Sequence, residues 1–236
     1  IGASIARKFI GEGWKVLIGA RNDNDLVAEL GEQARFFSMD ACLQEDHFNF
    51  AEKAIEWTDR LDAYINCAGC SEWRSVGDID EVFWSRMIDT NLKATLWGCK
   101  AAAKLLADSG SIVNVSSLAG KRGSANNSVY CAAKFGVNGI TQSLAKELGP
   151  RGIRVNAVCP VYVETPGLMT ALENSLSPAK GQPVPEYLEQ FAAAQSALKR
   201  LPKGEEVADL CLFLASSSAR AITGQCINID CGVLPQ

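Results

Sequence analysis

Short apolar runs recur along the chain at KVLIG (15–19), ARFFS (34–38), DAYINC (62–67), SIVNV (111–115), RVNAVC (154–159) and CINID (226–230). They are continuous rather than alternating, which is the pattern of strands covered on both faces. Between them the period becomes helical: Ile1, Ile5 and Phe9 make one stripe, and Ala133, Val137, Ile140, Leu144 and Leu148 another. Val207, Cys211 and Leu214 make a third. Strand and helix alternating in this way predict an α/β fold, a doubly wound parallel sheet with helices on both faces in one domain over 1–236. The rhythm breaks once, where 166–202 carries Pro166, Pro178, Pro183, Pro185 and Gly181 and a helical run at 186–200. Insertions of that length inside a compact domain are usually functional, and this one reads as a lid over a site.

Composition narrows the function. A net charge of -4 lacks the clustered lysine and arginine that nucleic-acid binding requires. Nine cysteines, an odd and scattered set, fit a reducing cytoplasm better than a secreted disulfide scaffold. Cys67 and Cys70 form a lone C-x-x-C, and His47 is the single histidine, so no zinc ligand set is expected. No apolar run reaches membrane-spanning length and no signal-peptide pattern opens the chain, so the expectation is a soluble protein.

The chemistry is concentrated in SVYCAAKFG (128–136), which places Tyr130 and Lys134 on one helical face one turn apart. A free phenol has a pKa near 10, and acid-base work near neutrality asks for a fall of about 3 units, or roughly 4 kcal/mol. An exposed ion pair supplies only about 0 to 1 kcal/mol. The pair therefore has to sit in a partly dry cleft with further positive charge nearby. Ser117 lies thirteen residues before Tyr130, at the carboxyl end of SIVNVSS, and ligands of open α/β sheets bind just outside such strand ends. NCAG (66–69) ends another strand, and NLK with Asn91 follows a helical stretch.

Taken together, the serine, the thirteen-residue gap, Y-x-x-x-K, NCAG, NLK, RVNAVCP and the terminal GQCINIDCG resemble the short-chain dehydrogenase/reductase family over essentially the whole chain. The resemblance implies a Rossmann-type fold and hydride transfer between a nicotinamide dinucleotide and a carbonyl or secondary alcohol. Under it, Ser117 holds the substrate oxygen and Tyr130 donates or removes its proton. Lys134 lowers the tyrosine pKa and binds the nicotinamide ribose, and Asn91 anchors a water in the relay behind Lys134. It also places the diphosphate at Ile1-Gly2, adenine contacts at Asp40, and the adenosine ribose beside Asn66, Ala68 and Gly69. Pro160, Val163 and Thr165 fall beside the nicotinamide. Of the family's T-G-x-x-x-G-I-G only Ile1-Gly2 stands here, so about ten to twenty further residues, a first, central strand and a short turn, are expected before Ile1.

After KVLIG come Ala20 and Arg21, with no acid at that strand end, which favours NADP(H) over the alternative NAD(H); Asp23 or Asp25 could still be displaced into the pocket. Val161 replaces the family's usual glycine after Pro160 and is expected to narrow the pocket. Trp73 is expected as a pocket wall and Arg74 as an anion contact. The family's habit of pairing its long helices, here near 91–107 and 130–148, implies a homo-oligomer, tetramer or dimer. Substrates in reach are 3-oxoacyl thioesters, sugars and ketones. The competing reading is a catalytically silent NADP(H)-binding scaffold or sensor. A serine hydrolase is disfavoured because His47 lies in an expected helix remote from these strand ends.

Overall fold

A computed structural model describes residues 1–23 and 25–235. The chain runs α1 (Gly2–Gly11), β1 (Val16–Ala20), α2 (Leu26–Leu30), β2 (Ala34–Ser38), α3 (Gln44–Thr58), β3 (Ala63–Asn66), α4 (Glu81–Ile88), α5 (Ala94–Leu105), β4 (Ser111–Val115), α6 (Ser128–Leu148), β5 (Arg154–Pro160), α7 (Pro166–Leu172), α8 (Val184–Gln195), α9 (Gly204–Ala215) and β6 (Cys226–Ile229). Each continuous apolar run is a strand, and every pairing is parallel.

The strands form two pieces, β1-β2 and β3-β4-β5-β6. The cleft between them is walled by β1 and β3 and by the apolar face of α1. Alternate residues of each strand feed two cores. Val113, Val115 and Val158 pack with Ile5 and Phe9 of α1 and Val207 and Leu214 of α9. Ile112 and Val155 turn the other way, against Cys99 and Ala102 of α5 and Leu148 of α6. Helices therefore cover both faces, and β4 and β5, buried along their whole length, are the centre of the molecule.

A polar thread crosses that centre. Asn66 Nδ2 donates to Asn114 Oδ1 at 2.9 Å, and Asn114 Nδ2 donates to Thr141 Oγ1 on α6 at 2.9 Å. Gly98 of α5 makes room for it, because a Cβ there would lie 1.9 Å from Asn66 Oδ1.

The 166–202 segment differs from its sequence reading. The helix expected over 186–200 spans Val184–Gln195 and stops at Ser196, whose extended backbone lets its hydroxyl donate to the Cys231 carbonyl at 3.0 Å. A second helix, α7, starts at Pro166, capped by Thr165 Oγ1, which accepts from Leu168 N–H at 3.2 Å. No helix of the described residues is long and apolar enough to cross a membrane.

Candidate active site

β4 ends at Val115, and Ser116 extends its pairing by donating N–H to the Val158 carbonyl at 2.8 Å. Ser117 follows in extended backbone, its Oγ accepting from Ala119 N–H at 3.1 Å, so the hydroxyl proton is left to donate elsewhere. The turn at 118–120 then presses against α6. A Cβ on Gly120 would lie 2.6 Å from the Lys134 carbonyl, so only glycine allows this approach. Asn138 Nδ2 fixes it by donating to the Gly120 carbonyl at 2.9 Å.

α6 carries Tyr130 in its first turn and Lys134 in the next. Ser117, Tyr130 and Lys134 line one cavity of about 640 Å³ at the carboxyl ends of β4 and β5. Lys134 is buried, and its Nζ lies 5.7 Å from the centre of the Tyr130 ring and donates to the Val115 carbonyl at 3.0 Å. Burial holds its ammonium down at about 8. Tyr130 goes the other way: burial of the hydroxyl pushes it up to about 12, against the opposing hydrogen bond from Ser117. The Lys134 ammonium is engaged with a main-chain carbonyl, and burial is the largest influence on the Tyr130 hydroxyl.

Asn91 is fully buried in a π-helical turn, Asp89–Lys93, between α4 and α5. Its Oδ1 accepts from Cys70 N–H at 3.0 Å, and its Nδ2 donates to the Met87 carbonyl at 2.9 Å. A Cβ on Gly69 would come within 3.0 Å of Asn91 Oδ1 and 3.6 Å of Lys134 Nζ, so NCAG, NLK and Y-x-x-x-K meet at this glycine.

The remaining sequence candidates divide between the two cavities. Ile1, Pro160, Val163 and Thr165 line the one that holds Tyr130, as does Val161. Gly2, Arg21, Asp40, Asn66 and Ala68 line the cleft between the sheet pieces, and Gly69 lines both. Asn66 turns its amide inward, donating to Asn114 Oδ1. Asp40 caps its own turn, accepting from Cys42 N–H at 2.9 Å. Trp73 lines the Tyr130 cavity as expected of a wall. Arg74 does not; it pairs with Glu72 at 3.0 Å and Asp80 at 3.5 Å and lies over the Phe83 ring. His47 is remote from Ser117, bonded to the Tyr64 hydroxyl and the Ala41 carbonyl, each at 2.8 Å.

The family model described as enoyl-(acyl carrier protein) reductase matches residues 1–234. The chain belongs to the short-chain dehydrogenase/reductase family. It is 35% identical to a putative ketoacyl reductase of the monensin polyketide synthase from Streptomyces virginiae, over 99% of this chain and 92% of the relative. To the 3-oxoacyl-(acyl-carrier-protein) reductase of Chlamydia muridarum it is 33% identical, with the same coverage of 99% and 92%. A crystal structure of an actinorhodin polyketide ketoreductase variant with NADPH superposes with a TM-score of 0.88 at 28% identity, covering 98% of this chain and 92% of that one. As a short-chain dehydrogenase/reductase the chain is an oxidoreductase that acts on carbonyl and alcohol groups with a nicotinamide dinucleotide.

The residues present fit that cofactor. α1 carries no acid in its first turn, Ile1 lines the Tyr130 cavity and Gly2 lines the cleft, and the positive end of a helix favours a diphosphate.

Sequence reasoning missed the ring cluster of this cavity. Tyr162, just beyond β5, stands 4.9 Å from Phe191 and 6.0 Å from Tyr187 between ring centres. Tyr187 and Phe191 share one face of α8, a four-residue spacing visible in the sequence, but nothing there ties them to Tyr162.

Proposed function

We propose that the protein is an NADP(H)-dependent carbonyl reductase in which Ser117, Tyr130, Lys134 and Asn91 form the catalytic group. The observation that carries this reading is the convergence of Ser117, Tyr130 and Lys134 on one cavity at the strand ends, which Ile1 also lines. A bound dinucleotide would supply the hydride. Ser117 directs its hydroxyl to the substrate oxygen, and Tyr130, which burial keeps protonated well above neutral pH, donates a proton to the same oxygen. Lys134 keeps a buried positive charge behind Tyr130 and presents its amine to the ribose, and the Asn91 turn positions the main chain behind Lys134. Gly2 and its neighbours hold the diphosphate, Asp40, Ala68 and Gly69 flank the adenosine, and Pro160, Val163 and Thr165 flank the nicotinamide.

Arg21 supports the 2'-phosphate. It is exposed at the end of β1 and lines the cleft, which neither Asp23 nor Asp25 does among the described residues. The 166–202 segment acts as the substrate lid, with Leu168, Tyr187 and Phe191 facing the cavity. Exposed Trp84, Leu96 and Phe135 on α4, α5 and α6 support a homo-oligomer, dimer or tetramer, and nine unpaired cysteines support a cytoplasmic location.

Tyr130→Phe is the test. NADPH oxidation over a panel of carbonyl compounds should fall at least about 100-fold, with an unchanged thermal unfolding curve. Undiminished turnover would overturn the assignment, and a wild-type protein that binds NADPH but reduces nothing would favour the silent scaffold.

A further inference from the structure

We infer that the substrate is an aryl ketone, a flat aromatic ring system conjugated to the carbonyl, rather than a sugar or an unbranched acyl thioester. This rests on the carbonyl-reductase reading and names its substrate class. Part of the wall of the Tyr130 cavity is aromatic: Tyr162, Tyr187 and Phe191 all line it, and Tyr162 packs edge to face against Phe191 at 63° and against Tyr187 at 66°. Rings on a cavity wall attract an aromatic guest beyond its buried area. Behind them, Trp73, Leu172, Val184 and Leu188 form a buried cluster against which Tyr162 and Tyr187 pack, so the wall cannot collapse or turn aside.

No carboxylate lines this cavity among the described residues. Besides the proposed catalytic residues its side-chain hydrogen-bonding groups are Ser71, Ser124, Arg122, Asn127 and Trp73, the last two with a buried unpartnered atom each; Ser116 and Thr165 are bonded to main chain, and the two phenol hydroxyls lie 3.3 Å apart. A sugar seated here would press several hydroxyls against rings, Leu168, Val161 and Pro178, and each hydroxyl denied a partner weakens binding by about 5-fold or more. A saturated chain fits the apolar lining but gains nothing from ring geometry, whereas an aromatic guest gains between about 2- and 13-fold beyond its buried area.

The test is calorimetric titration with α-tetralone, trans-α-decalone and glucose, the first two sharing one carbon skeleton, alongside NADPH turnover of the same compounds. Wild-type protein should bind α-tetralone most tightly. Phe191→Leu should cut its advantage over the decalone by about 2- to 13-fold, and Phe191→Tyr, which keeps a ring, should retain it. Equal or tighter binding of glucose or the decalone, or an advantage untouched by Phe191→Leu, would overturn the inference even if turnover is brisk. Ring-dependent binding without turnover of any carbonyl would support the substrate-pocket assignment and remove the hydride-transfer reading instead.

Discussion

Lys134 makes a strong demand on the fold because it must hold a proton in a place that disfavours charge. Its ammonium, with an ordinary value of 10.5, is held at about 8. Between those two pH values the unfolded chain binds the proton and the folded chain does not, so stability rises with pH across that window. Working the two binding curves from pH 7 to pH 10 gives a gain of about 2 to 3 kcal/mol, on the order of fifty- to a hundredfold in the folding equilibrium. Buried thiols and phenols titrate in the opposite sense at high pH, as Tyr130 and Cys99 do, each pushed up to about 12. The measurement must therefore be the difference between wild type and Lys134→Met, by urea unfolding at half-unit steps of pH. The methionine leaves the Val115 carbonyl without its 3.0 Å donor, which is a constant offset and not a slope. Wild type should gain on the variant by about 2 to 3 kcal/mol over that range. A flat difference, or one that shrinks as pH rises, would mean that Lys134 is not strained by burial.

Gly98→Ala should cost more than about 2 kcal/mol despite alanine's better helix propensity, because its Cβ would collide with Asn66 Oδ1. Gly139→Ala on α6, where nothing lies within 4 Å, should instead stabilise by about 0.5 to 1 kcal/mol; chemical denaturation of the two variants gives opposite signs if the amide thread is rigid. Arg21→Glu should lower kcat/KM for NADPH at least about tenfold and leave NADH unharmed or improved. Unaltered use of NADPH would show that Arg21 only faces solvent.

Much of this was legible in the chain. Strands buried on both faces announce themselves as unbroken apolar runs, and all six were where such runs stand. Ser117, Tyr130 and Lys134 could be paired from spacing because a helix turn and a strand end are local geometry. What depended on distant groups was not legible. The Lys134 amine finds the Val115 carbonyl, and no spacing rule reports which acceptor a flexible ammonium will choose. Arg74, expected at the pocket, is captured by Glu72 and Asp80. The π turn around Asn91 has no apolar signature, and the end of α8 is set by a contact with Cys231, 35 positions from Ser196.

The line of amides from Asn66 through Asn114 to Thr141 constrains how the chain can assemble. Valines and isoleucines in neighbouring strands are nearly interchangeable, and a slipped pairing could bury them almost as well. An amide has one matching partner, and a slip would strand two or three polar groups in the dry interior, at about 1 to 3 kcal/mol each. Misthreaded forms of β3 and β4 are thus penalised before α6 can dock, so the helix that carries Tyr130 and Lys134 closes only over correctly threaded strands.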